Sequence, residues 1–557
     1  MSVLLLSPAI SAQETGKDNF LRTTVSSYGQ ATVIIPYPGR DAAVELSKSV
    51  SISSADGRQL EIVLSQITVE WFILQGFDYT VVTGDSVKGV EMASGVKHAL
   101  EWDSYPTYFQ YDSIMRSYAR LYPELCWLDT IGISNYGKLV LVLKISDNAA
   151  DDEDEPELFY SSTMHGDETG GFILMLRLAA FLLENYSSDQ RARNLVDNLE
   201  IWINPLANPD GTYKTGNTIS SPTRFNANGY DLNRNFPDPV SDDPVKQVET
   251  IDMMNFMKGR NFVLSANFHG GEEVVNYPWD RWERRHPDED WFYSISRKYA
   301  DTAHVYSPAG YMTFMENGVT NGWDWYYVYG GRQDYVTYEL QGREITIELD
   351  DIKLTPAANL DLLWNCNWRS LLGYLENALH GIHGKVIDSV TGEPVPAKIL
   401  IPGHVADGSF VFSDTLTGSF TRFAAAGTWL LQLSADGYKT RDFEVEVTDG
   451  VAVDIVVEME PLVNPVDTVE TERLFIYPNP AGEFIKVILP VRQIGNINIV
   501  ILSSLGQKLA DYNETTNEGS PLYINVEDLP RGVCILSLTN RDTNVCDRAK
   551  FVVLRRK

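Results

Sequence analysis

The residues best suited to chemistry are His165 and Glu168, in Met164-His165-Gly166-Asp167-Glu168, and a distant third, His269, in Asn267-Phe268-His269-Gly270-Gly271. Two imidazoles and one carboxylate make the ligand set of a catalytic zinc, which keeps its fourth position for water. Water activated in this way is a nucleophile at neutral pH, so the expected chemistry is hydrolysis. His165 and Glu168 are three residues apart, which puts both side chains on one side of a helical turn. His269 ends an apolar run, and the two glycines after it let the backbone pass close to a ligand.

Other residues supply what a hydrolysis needs beside the metal. Glu348 interrupts the apolar run Ile345-Thr346-Ile347-Glu348-Leu349, where an ionised carboxylate is costly without a partner. It is either salt-bridged or a general base that takes a proton from water and hands it to a leaving amine. Arg234, in Asp231-Leu232-Asn233-Arg234-Asn235-Phe236-Pro237, carries a fork that fits a carboxylate, and Asn233 adds a donor. Arg224, seven residues before Asp231, offers a donor for the oxyanion of a tetrahedral intermediate.

Elements that would hold these groups are readable from periodicity. Leu139 to Leu143, Leu158 to Ser162, Glu200 to Asn204, Phe262 to Asn267 and Ile345 to Leu349 read as buried strands. Tyr108 to Leu121 and Phe172 to Tyr186 read as helices. Alternation of this kind predicts a doubly wound sheet with its site at the strands' carboxyl ends, where His165, His269 and Glu348 all fall. From Asn19 to Ser94, short strands (Ala31 to Ile35, Thr80 to Val82) and a helix at Ala42 to Lys48 predict a small α+β domain. After Leu379 short strands alternate with turns such as Thr391-Gly392-Glu393-Pro394, which predicts β-sandwich modules. The expected fold is therefore an α/β catalytic domain with a mixed doubly wound sheet, preceded by the small α+β domain and followed by two β-sandwich modules.

Composition narrows the partners. The 557 residues exceed one core, and the formal net charge of -31 disfavours nucleic acid and favours cationic partners, with solubility as the other reading. No apolar run spans a bilayer. Val3 to Gln13 resembles the tail of a signal peptide that lacks its basic start. Four cysteines are too few for a disulfide scaffold, although Cys534 and Cys546 are spaced to face each other across a hairpin. The acidic run Asp151 to Glu155 reads first as a solvated loop and second as a calcium site.

The motifs together resemble the zinc metallocarboxypeptidases of the funnelin type, in the regulatory branch of carboxypeptidases N, E, M and D. The matching stretches are His165 to Gly171, Asn208 to Gly211, Asp231 to Pro237, Ser265 to Gly271, Thr320 to Gly322, Gly330 to Tyr335 and Glu344 to Leu349. The resemblance implies one zinc held by His165, Glu168 and His269, with Glu348 as general base and Arg224 polarising the scissile carbonyl. It implies that Asn233 and Arg234 grip the substrate's terminal carboxylate and that Tyr326 closes over the substrate. Asp280, eleven residues after His269, matches the acid that selects a C-terminal Lys or Arg, and Asn276 and Gln333 match its neighbours. Arg281 beside it is a competing partner. The final module resembles a type IX secretion sorting domain of Bacteroidetes, through Tyr477-Pro478-Asn479-Pro480, Ser504-Leu505-Gly506-Gln507 and the basic end Arg555-Arg556-Lys557.

The expected organisation is a signal tail (1–18), a propeptide-like domain (19–95), the catalytic domain (96–380), a transthyretin-like β-sandwich (381–460), a linker (461–473) and the sorting domain (474–557). The expected function is a secreted or surface zinc exopeptidase, exported through the periplasm, that releases C-terminal Lys or Arg from peptides. Its partners would be peptide C-termini and the secretion machinery. The alternatives are a different terminal-residue preference and a non-catalytic peptide-binding module.

Overall fold

The site rests on an eight-stranded sheet whose four central strands are buried along nearly their whole length, as strands covered on both faces must be. In order across the sheet they are Val319–Asn321, Glu272–Tyr277, Arg343–Asp350, Phe262–His269, Glu157–Ser162, Glu200–Asn204, Leu139–Ile145 and Cys126–Ile133. The four from Arg343–Asp350 to Glu200–Asn204 run parallel, with antiparallel neighbours on either side. The sheet is mixed, as expected. Alternate residues of one strand feed two cores. Leu141, Leu143, Leu158, Tyr160, Ile201 and Ile203 pack with the helices Gly170–Asn185, Glu289–Val305 and Leu360–Glu376. Val140, Val142, Phe159 and Trp202 pack on the other face with Val248–Lys258 and Arg332–Glu339.

This computed structural model describes residues 16–82, 90–240, 245–462, 474–504, 506–517 and 521–554. The expected signal tail (through residue 15), most of the linker, Leu505 and the basic C-terminal residues lie outside them. The chain divides into two compact units, between Glu460 and Pro461.

Within the first unit, Gly16–Tyr28, Arg40–Ser47 and Val69–Leu74 are helices beside a four-stranded sheet of Ser51–Ala55, Gln59–Ser65, Gln30–Pro36 and Thr80–Val81. The helix Gly16–Tyr28 is not apparent from sequence, because Leu21 and Val25 are its only buried residues. At the other end of the unit, Gly381–Asp388 and its neighbours form a three-stranded and a four-stranded sheet around Ile382, Val386, Ile399 and Leu431. Asp288 ties this β-module to the large sheet. It accepts from Arg422 and Arg343, each at 2.9 Å, and all three side chains are buried.

The second unit is likewise a three-stranded and a four-stranded sheet, around Ile485, Val487, Ile497, Ile499 and Leu536. Its hairpin Gly532–Asn540/Cys546–Val553 corrects the expectation for the cysteines. Cys546 pairs with Thr539 and Cys534 with Phe551, so the two thiols sit at different rungs. All four cysteines are free. Among the described residues no helix is long and apolar enough to cross a membrane.

Candidate active site

Strand register assembles the chemistry. The strands Phe262–His269 and Arg343–Asp350 run parallel with His269 beside Glu348. The neighbouring strand Glu157–Ser162 runs into the loop that carries His165 and Glu168. That loop is tight. Thr163 holds a left-handed φ of 59°, a conformation that strains a β-branched residue. A Cβ on Gly166 would lie 2.3 Å from the backbone carbon of Gly211, so only glycine fits between the two site residues.

His165 Nδ1 and His269 Nδ1 lie 3.0 Å apart, and each lies 2.8 Å from an oxygen of Glu168. Across a tetrahedral zinc such atoms are about 3.3 Å apart, so three buried donors already converge on one point at nearly the required spacing. The charge states suit a cation. Burial opposes ionisation of Glu168, but the two imidazoles outweigh it and hold the carboxyl well below its usual range. Burial lowers His269 to about 4, which keeps its imidazole in the neutral, ligating form. The residues therefore fit a zinc ion.

Behind the donors is an orienting layer that the sequence reading missed. His165 Nε2 lies 3.0 Å from Asp231 Oδ1; with Nδ1 as the ligand to a metal, Nε2 would carry the hydrogen and donate it to Asp231. Asp231 also accepts from Arg224 Nε at 2.9 Å and from the backbone N–H of Asn233 at 2.9 Å. One buried carboxylate thus aligns a ligand, the oxyanion candidate and the residue expected at the substrate's end. Its motif, Asp231-Leu232-Asn233-Arg234, reads as an ordinary capped turn, and Asp231's contact with His165 is remote in sequence.

The other expected residues are distributed around this centre. Glu348 is buried and lines the same cavity as the metal trio. Burial, then the Glu168 charge, raise its carboxyl well above the usual range. Arg224 Nη1 reaches Glu168 at 3.3 Å. Asn233, Asn276, Asp280 and Tyr326 line the cavity too; Arg234 and Gln333 are not among its lining residues, and Gln333 Nε2 donates to Asp280 from beside it. Burial raises the Tyr326 hydroxyl to about 12, and the Arg234 charge opposes the rise.

Asp280 is 4% exposed, and its contacts are neutral amides: Asn276 Nδ2 at 2.9 Å and Gln333 Nε2 at 3.2 Å. Burial raises it to about 6. Arg281 turns away and pairs with Asp238 at 3.0 Å, so it does not block Asp280. A Cβ on Gly322 would lie 1.7 Å from Asp280 Oδ1. Gly322→Ala is therefore expected to lower kcat/KM on a substrate that needs the Asp280 charge by about 10- to 100-fold, the loss of one charged hydrogen bond. Paired assays on peptides ending in Arg and in Phe check it, since the Phe peptide should change less.

The small N-terminal module reaches this centre. Ile52 O accepts from Arg234 Nη2 at 3.0 Å, and Ser51 Oγ donates to Asp231 at 2.7 Å. Gln30 bridges Asp167 Oδ2 at 2.9 Å and the backbone N–H of Arg224 at 2.7 Å. Ser53 lines the cavity, and Tyr326 packs on the module's core. The cavity left over the metal trio measures about 30 Å³.

Comparison with known proteins agrees with this geometry. The zinc carboxypeptidase family model matches residues 111–370. Carboxypeptidase D of Anas platyrhynchos is 34% identical over 444 residues, covering 74% of this chain and 31% of that protein. Carboxypeptidase M of Mus musculus is 33% identical, covering 59% of this chain and 77% of that one. The carboxypeptidase N catalytic chain of Mus musculus is 32% identical, covering 63% and 85%. The chain thus spans about a third of the length of the duck carboxypeptidase D it matches. Residues 475–553 match the secretion system C-terminal sorting domain, which marks the chain for export by type IX secretion. With relatives above 30% identity matched over more than three-quarters of their length, the chain belongs to the zinc carboxypeptidase family.

Proposed function

We propose that the protein is a zinc carboxypeptidase that releases C-terminal Lys or Arg from peptides outside the cell. The observation that carries the reading is the convergence of His165, Glu168 and His269 beside Glu348, with the buried carboxylate of Asp280 in the same cavity. A buried carboxylate whose side-chain hydrogen bonds come from the neutral amides of Asn276 and Gln333 favours a cation, and a substrate's basic side chain supplies one.

Each group then has a task. Arg234 and Asn233 hold the terminal carboxylate and so place the last peptide bond in the centre. Zinc at the trio supplies Lewis acidity toward the carbonyl and a nucleophilic water at neutral pH. Glu348 accepts the proton of the attacking water on a carboxylate oxygen and delivers it to the leaving amine nitrogen. Arg224 donates to the oxygen that gains negative charge as the carbon becomes tetrahedral. Asp231 keeps Arg224 and His165 aimed while this happens.

Residues 96–380 are read as the catalytic domain, 381–460 as a transthyretin-like module and 474–557 as the part that engages the secretion machinery. Peptides differing only in the last residue (Arg, Lys, Phe, Glu) test the specificity. Turnover of Arg and Lys peptides well above the others supports it, and equal or better turnover of Phe contradicts it. The pH profile gives a second check. Asp280 must be ionised to attract the cation, so KM for the Arg peptide is expected to rise as pH falls through about 6, and KM for a Phe peptide is expected to stay flat there.

A further inference from the structure

At the opposite end of the strand that leads to His165, the strands Leu139–Ile145 and Glu157–Ser162 are joined by a loop that carries six carboxylates between Asp147 and Glu155. A solvated acidic loop would splay its charges into water. This loop folds over Glu200, where the strand Glu200–Asn204 begins, and the Glu153 N–H donates to Glu200 Oε1 at 2.8 Å. Ligand atoms of Asp152, Glu157 and Glu200 lie within 4.8 Å of one another, and those of Asp147, Glu153 and Glu155 do the same alongside.

Two of these side chains are enclosed, Glu200 at 0% and Glu157 at 7% exposure. Oε2 of each is buried without a hydrogen-bond partner, and so are Oε2 of Glu153 and of Glu155. Buried carboxylate oxygens without donors are strongly unfavourable, so so many in one place need a cation. Lys144 lies 2.8 Å from Glu200 Oε1, Lys385 pairs with Asp154 at 2.8 Å and Arg260 acts on Glu157, so three positive charges face the six loop carboxylates together with Glu157 and Glu200. Burial first, and then neighbouring carboxylates, push Glu155 and Glu157 up to about 7. The donors are all oxygens, they are rich in charge, and part of the set lies on a loop. That combination suits calcium better than zinc, which prefers nitrogen and sulfur, or magnesium, which demands rigid octahedral geometry.

We propose that Asp152, Glu157 and Glu200 hold a calcium ion that clamps the acidic loop onto the start of two sheet strands. A module outside the cell needs only weak affinity for such a site, with Kd of about 10⁻⁴–10⁻³ M. The site is separate from the zinc centre and does not depend on the peptidase reading.

The test uses the full chain with its zinc in place. Calcium at saturation is expected to raise Tm by about 2 °C or more, and magnesium by clearly less. Terbium, a calcium surrogate, should luminesce through Trp202, whose ring centre lies 5.8 Å from Lys144 Nζ, and calcium should displace it. Asp152→Asn, at an exposed position, is expected to weaken calcium binding at least about tenfold with folding intact. Glu157→Gln removes one repelling charge, so it should raise the calcium-free Tm and reduce the calcium response. His269→Ala should keep the calcium response, which separates this site from the catalytic one. A wild-type chain with no calcium shift and no displaceable terbium signal overturns the proposal. So does a calcium response left unchanged in both Asp152→Asn and Glu157→Gln.

Discussion

Glu348→Gln is expected to lower kcat by about 10²–10⁴-fold on every C-terminal peptide, with KM and zinc content close to wild type. The amide keeps the shape of the side chain and loses the proton acceptor. Glu348 is not a member of the metal trio, and its strand is anchored by the ladder to His269, so neither metal binding nor folding should suffer. Steady-state kinetics on an Arg-ending peptide, with metal analysis of the same sample, checks this. A variant within tenfold of wild type would remove Glu348 from the reaction. An inactive variant that had also lost its zinc would give Glu348 a structural role instead.

The second large effect concerns the N-terminal module. Its strand Ser51–Ala55 occupies groups proposed to hold and orient the substrate: Ile52 O takes one arm of Arg234, and Ser51 takes an oxygen of Asp231. The remaining cavity of about 30 Å³ holds about two waters, whereas sites for small ligands span about 300–1,000 Å³. A peptide's last residue has no room while the module stays. Cleavage at a protease site engineered within residues 83–89 is expected to raise kcat/KM by about 10- to 100-fold once the module dissociates, since substrate then no longer competes with a tethered strand. Assays before and after cleavage, with size-exclusion chromatography to show dissociation, check this. Unchanged or lower activity after dissociation would make the module a permanent working part of the enzyme.

The centre of the fold was legible because its signals are local. Strands such as Leu139–Ile145 and Phe262–His269 carry apolar runs and are buried at nearly every position, as in a sheet covered on both faces. His165 and His269 stood at the ends of such strands, so topology brought them together. What escaped the sequence depends on remote contacts. The role of Asp231 is set by His165 and Arg224 together, and nothing in its own motif distinguishes it from an ordinary helix cap. Ser51-Ile52-Ser53 is a polar, unremarkable segment whose meaning comes from Arg234, 182 residues beyond Ile52. Asp280 and Arg281 are neighbours in sequence, yet in the bend that follows the strand Glu272–Tyr277 they point to different partners. Cys534 and Cys546 look paired by spacing, but the hairpin register sets them at different rungs.

The central claim is that one zinc ion, gathered by His165, Glu168 and His269, makes this chain trim peptides from the carboxyl end. Its most direct test is to titrate zinc into metal-stripped protein, after release of the N-terminal module, while free arginine from an Arg-ending peptide is measured. Release is expected to be absent without metal and to reach its plateau at one equivalent. Arginine release by the metal-free protein, or none from protein loaded with one equivalent, would contradict the account.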